Sequence, residues 1–169
     1  MKYFYISIIA LMSSVAVFGQ NSKVGTIDVD FILSKMPDLT TVRDGVETYG
    51  KGLDTELGEK LARYDSLIKG YQDNESTYGD AIKKGKQEEI ISLEAEMQQF
   101  RQNSVQLIQL RQNELMQPLY QKVGEALELV AQEGGYSQVL TSNSTVAYLD
   151  PNFDLTIAVM KKLGLPTEE

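Results

Sequence analysis

The chain has 169 residues, with 16 Lys and Arg against 24 Asp and Glu and no Cys, His or Trp. A net charge of −8 argues against nucleic acid as a partner, because phosphate recognition needs basic surface. Without Cys or His there is no disulfide, no thiolate metal site, no cysteine nucleophile and no histidine base.

The first nineteen residues stand apart. Lys2 supplies a short positive region, and Tyr3 to Phe18 is an apolar run interrupted only by serines. Val17-Phe18-Gly19 then offers a cleavage site before Gln20. Residues 1–19 therefore read as a signal peptide, the apolar run being shorter than the roughly 20 residues a membrane span needs. No Cys follows, so no lipoprotein anchor is expected. Cleavage removes Lys2 and leaves 15 basic against 24 acidic residues, a net charge of −9.

Val24 to Asp28 reads as a short strand, and Val29 to Lys35 as one or two helical turns. Asp28 is the cap, and Met36-Pro37 is the stop. From about Asp38 to Glu133 the sequence is helix-forming and charge-rich. Val42, Val46, Tyr49, Leu53, Leu57, Leu61, Tyr64, Ile68 and Tyr71 recur at steps of three and four. The consecutive steps of four at Leu53, Leu57 and Leu61 form a stutter. A second stripe runs through Ile90, Leu93, Met97, Phe100, Leu107, Ile108, Leu115, Leu119, Val123, Leu127 and Val130, with Ser104 and Arg111 interrupting it. Asp73-Asn74-Glu75-Ser76 breaks the two stripes apart, and Thr77-Tyr78-Gly79-Asp80 has the form of a capping box with Thr77 as the cap. Pro118 removes a backbone donor inside the second segment and predicts a kink there. Two legs of roughly 55–60 Å at ~1.5 Å per residue predict an antiparallel helical hairpin with its tip near 73–77.

Seven glycines, from Gly45 to Gly85, fall on the first leg and turn, while Gln87 to Val123 has none. Each costs about 1 kcal/mol in a helix interior, so the first leg reads as compliant and the second as stiff. After the arm, Gly134-Gly135 suits a left-handed helix end. Tyr136 to Thr141 and Thr145 to Leu149 read as strands, Asp150-Pro151 as a turn, and Leu155 to Leu163 as a helix capped by Asp154 and ended at Gly164.

The expected fold is α+β and mostly helical: a long antiparallel hairpin arm (38–117) on a small β-containing body (20–37 and 118–169). So small a body with open strand edges buries little apolar surface alone, and oligomerisation through its strands answers both problems. The carboxylates Asp28, Asp30, Asp150 and Asp154 come closest to a chemical cluster, but capping and turn formation account for them, and no glycine-rich phosphate loop is present. No enzymatic activity, metal or cofactor is expected.

Several segments resemble the OmpH/Skp family of periplasmic chaperones. They are Val24-Gly25-Thr26-Ile27-Asp28, the stretch from Glu114 through Gln117-Pro118 to Val123, Glu133-Gly134-Gly135-Tyr136 with the residues to Thr141, and Val146 to Thr156 with its Tyr148-Leu149-Asp150-Pro151. The resemblance covers Val24 to about Leu163. It implies a homotrimer whose strands assemble a β body, with three arms enclosing a cavity that holds unfolded outer-membrane proteins in the periplasm without ATP. The strands place Ile27, Val139, Leu140, Val146 and Tyr148 as candidates for the trimer interface. Tyr64, Ile68, Tyr71 and Tyr78 are candidates for client contact, since aromatic groups with polar tips suit adaptable apolar binding. The chain departs from the family's basic character, with 11 basic against 17 acidic residues from Leu39 to Gly134. No set of basic residues matches the family's lipopolysaccharide site, so lipid binding is not carried over; Lys83, Lys84 and Lys86 form only a local basic patch followed by Glu88 and Glu89. The alternative reading is a coiled-coil spacer or scaffold of the cell envelope, which would favour regular heptads and stiffness.

Overall fold

A computed structural model describes residues 22–142 and 148–167. The signal-peptide reading of residues 1–19 and most of the third strand expected at Thr145–Leu149 lie outside the described residues; the described Tyr148 and Leu149 are not in a strand. The elements in chain order are β1 (Val24–Ile27), α1 (Val29–Lys35), α2 (Asp38–Asn74), a 3-10 turn (Glu75–Thr77), α3 (Asp80–Glu133) and β2 (Gln138–Thr141). A second 3-10 turn (Pro151–Phe153) and α4 (Thr156–Lys162) complete the fold.

Local chemistry sets most of these boundaries. The Asp28 carboxylate accepts from the Phe31 N–H at 2.9 Å, which caps α1. α3 ends in a Schellman arrangement. Tyr136 N–H reaches back to Ala131 C=O and Gly135 N–H to Gln132 C=O, with Gly135 at φ 66° where a β-carbon would be strained. α4 ends the same way at Gly164, φ 70°, and the Leu165 side chain that follows packs on the core. Asp150 accepts from Asn152 N–H at 3.0 Å, and Asp154 from Thr156 N–H at 2.9 Å. Asp28, Asp150 and Asp154 are thus engaged with backbone donors, as their positions predict.

One expectation is corrected at the arm. Thr77 does not cap α3. Its hydroxyl donates to Asn74 C=O at 2.7 Å within the 3-10 turn, and Gly79 occupies the cap position without a side-chain bond. Pro118 lies inside α3, which continues through it for 54 residues in all. The proline is exposed, so the carbonyl of Glu114 that loses its donor faces water instead of a core. One helix therefore serves as both the second leg of the arm and a wall of the body.

β1 and β2 pair in parallel, Val24 opposite Gln138 through Ile27 opposite Thr141. Gly25 lets this pair close on the body: a β-carbon there would meet the Tyr136 ring at 2.9 Å and crowd Leu155. The core lies beneath, formed by Ile27, Ile32, Leu33 and Met36 with Leu119, Val123 and Ala126 of α3 and Leu155, Val159 and Met160 near α4. Thr156, the buried polar member of this region, receives Asp28 N–H at 2.9 Å and donates to Asp154 at 2.6 Å. No helix among the described residues is long and apolar enough to cross a membrane.

Candidate functional site

The arm is a two-helix seam. Val42 is buried at its base and joins the body core, and Gly45 sits where a β-carbon would come within 2.9 Å of Leu115, letting the legs approach. Further out only Leu93 and Met97 are buried, and most of the other stripe residues are half-buried. Leu61 is exposed, contrary to the predicted stripe. The seam position is taken by Lys60, whose ammonium lies 5.4 Å from the centre of the Phe100 ring and bonds Glu96 across the legs at 2.6 Å. The butyl stem of Lys60 covers the seam while its charge stays outside. Ser104 interrupts the opposite stripe but satisfies its hydroxyl on Phe100 C=O at 2.8 Å. Arg111 lies exposed at the edge of the seam, beside Asp44 and Thr48 of α2, and pairs with Glu114.

The Lys60–Glu96 pair sets the local electrostatics. The hydrogen bond from Lys60, with its charge, holds the Glu96 carboxyl below the ordinary value, and the same bond raises Lys60. Nearer the tip Lys86, helped by Arg63, does the same to Glu89. Two of the three lysines of the tip patch are therefore engaged, Lys86 with Glu89 at 3.0 Å and Lys84 with Glu88 at 3.8 Å.

Tyr64, Ile68, Tyr71 and Tyr78 are all half-buried along the seam. Tyr71 and Tyr78 meet at the tip, ring centres 6.4 Å apart and tilted by 43°. The Tyr71 hydroxyl accepts from Gln87 at 2.9 Å and donates to Glu75 at 3.3 Å, which fastens the turn to both legs. Tyr64 and Ile68 stand further down α2, so the four do not form one cluster.

The strand candidates divide. Ile27 is 2% exposed inside the chain's own core and Val139 is half-buried against it, so neither has much surface left for a partner. Leu140 is 54% and Tyr148 82% exposed, and Val146 lies outside the described residues. The body also exposes Phe31, Phe153 and Ile157. Sequence reasoning passed over these, since each sits beside a cap or a buried neighbour instead of on a stripe. It likewise passed over Ile91, Val105 and Leu110, exposed apolar residues on the side of α3 that the seam does not cover.

Comparison with known proteins places this architecture. The family described as outer membrane protein (OmpH-like) matches residues 23–163. The chaperone protein Skp of Yersinia enterocolitica is 32% identical over 165 residues, which is 92% of this chain and 93% of that one. The crystal structure of an OmpH-like protein of Caulobacter crescentus CB15 superposes with a TM-score of 0.65 at 16% identity, over 84% of this chain and 83% of that one, a likeness of fold. The hairpin on a two-stranded body and the match along nearly its whole length make this chain a member of the OmpH-like family.

Proposed function

We propose that this chain is a chaperone of the periplasm, exported by residues 1–19, that holds unfolded outer-membrane β-barrel proteins without nucleotide. It works as a homotrimer, with three bodies joined and three arms enclosing the client. The observation that carries the reading is the contrast within one chain between a closed body core and an arm of about 55 Å whose seam is mostly half-open. Family membership and the relative named as a chaperone support it. Leu140, Tyr148, Phe31 and Ile157 supply apolar surface for joining the bodies. Tyr64, Ile68, Tyr71 and Tyr78 supply contacts for the client wherever the seam loosens. Nucleic acid and cofactors have no part in this proposal, and lipid is left out of it, because Lys84 and Lys86 at the tip are already paired.

Suppression of aggregation tests the reading directly. The mature protein, without ATP, should keep a urea-diluted outer-membrane barrel soluble at near-stoichiometric ratio, and failure to do so would favour an envelope spacer. Because the arm is net acidic and screening acts over about 8–10 Å at physiological salt, raising salt from low to physiological should leave client affinity unchanged or strengthen it. Marked weakening would assign capture to the lysines of the tip. Sedimentation equilibrium at micromolar concentration should give a trimer.

A further inference from the structure

Long helices stay soluble by carrying charge on their exposed face. α3 does so near the tip, where residues 80–101 hold nine charged side chains and three Gln. Nearer the body it does not: residues 102–121 hold two charged side chains, Arg111 and Glu114, against eight Asn and Gln. Those two charges bond each other at 3.2 Å. Steps of three and four place Gln102, Gln106, Leu110, Asn113, Gln117 and Tyr120 on one face, and all six are exposed. A dip of about 450 Å³ lies on this face between Leu110 and Tyr120, lined also by Asn113, Gln117 and Glu114, the last held by Arg111. Pro118 adds a second feature. It has no N–H for the carbonyl of Glu114, so a backbone acceptor is left without its helical donor beside the exposed Gln117.

We infer that this strip receives an extended, charge-poor stretch of unfolded polypeptide, an inference that rests on the chaperone reading above. Each Gln or Asn side chain offers both donors and acceptors, as does each peptide unit of an unfolded backbone, so pairing requires no fixed register. Leu110 and Tyr120 receive apolar side chains between the amides. A Lys or Glu of the client laid on the strip would lose water, and the one carboxylate lining the dip, Glu114, is already bonded to Arg111. Charge-poor surface thus matches charge-poor chain. The first leg of a second copy fits less well, since residues 38–60 carry nine charged side chains.

The test uses the mature full chain with Gln106→Glu, Asn113→Asp and Gln117→Glu together, near-isosteric changes on an exposed face. The control adds the same charge to exposed positions of the other leg, with Thr48→Glu, Thr55→Glu and Ser66→Glu. The probes are two labelled unfolded peptides of equal length, one alternating apolar residues with Ser and Asn, the other alternating them with Lys and Glu. Circular dichroism and melting confirm that both variants fold. The strip variant should bind the uncharged peptide about tenfold more weakly than the wild-type chain, while the control stays within about twofold. The wild-type chain should prefer the uncharged peptide. Equal binding by both variants, with wild-type aggregation suppression intact, would overturn the strip and leave the chaperone reading standing. A wild-type chain that neither suppresses aggregation nor binds either peptide would overturn the chaperone reading itself. A photo-crosslinker at Gln106 that joins only another copy of this chain, with the uncharged peptide in excess, would also overturn the strip.

Discussion

The body and the arm share one helix and are packed by different rules. Where α3 crosses the body, Leu119, Val123 and Ala126 are shut into a core with α1 and α4. Between residues 98 and 114 of the same helix no side chain is buried. α3 is helical in both places, so helix formation is not what separates them; the number of walls is. In the body α3 meets helices on more than one side, whereas along the arm it meets only α2. A two-helix seam buries one stripe per leg and leaves the rest to water. Buried apolar contacts therefore concentrate in the body, and the arm stands at the low-stability end of the molecule.

Core truncation should expose this difference most strongly. Ile32 is fully buried, and Ile32→Ala should cost about 2–5 kcal/mol in denaturant unfolding. Leu93→Ala in the arm should fall at or below the lower end of that range, because its surroundings can collapse or admit water. Equal costs would show that the arm is as tightly packed as the body. Next in size is Gly25→Ala, whose new methyl would press on Tyr136 and Leu155 and should cost about 1–3 kcal/mol, read as a lowered melting temperature of the body.

The glycines sharpen the comparison from the other side. β-carbons at Gly58 and Gly70 would meet nothing within 4 Å, and one at Gly50 would only touch Ile108 at 4.0 Å. Alanine at each should raise arm stability by up to about 1 kcal/mol and increase helix content. A fall in melting would mean that these positions depend on glycine for their geometry. The smallest effect belongs to the cross-leg pair. Glu96 is held below its ordinary value of 4.5 by Lys60, so its contribution is present above that value and lost as pH falls through the lowered one. Lys60 is raised above 10.5, so its contribution is present below that value and lost as pH rises through the raised one. Lys60→Met should flatten both edges of the arm's melting-versus-pH curve, and an unchanged curve would show that the pair adds nothing.

What could be read from the sequence was local. Asp28, Asp150 and Asp154 engage backbone groups within three residues, and Gly135 and Gly164 end their helices by their own backbone preference, so each was visible in a short window. The hairpin was visible because its two stripes are long. Lys60 was not, since its place in the seam depends on Glu96 and Phe100 across the arm, and Leu61 looked the better stripe residue. Pro118 was legible as a proline inside the second leg, and α3 carries it where both Pro118 and Glu114 are exposed. The parallel pairing of β1 with β2 joins residues more than a hundred positions apart, beyond any periodicity. Along the outer face of α3 the amides stand openly in the sequence, but a search for apolar spacing does not register them.

Hydrogen–deuterium exchange of the mature protein, alone and with an unfolded outer-membrane barrel, tests most directly the claim that a fixed body carries a yielding arm that holds the client. Alone, residues 50–114 should exchange faster than β1, α1 and the body part of α3; with client, protection should appear along the arm and leave the body unchanged. Uniform exchange in the free protein, or protection confined to the body when client is added, would contradict the account.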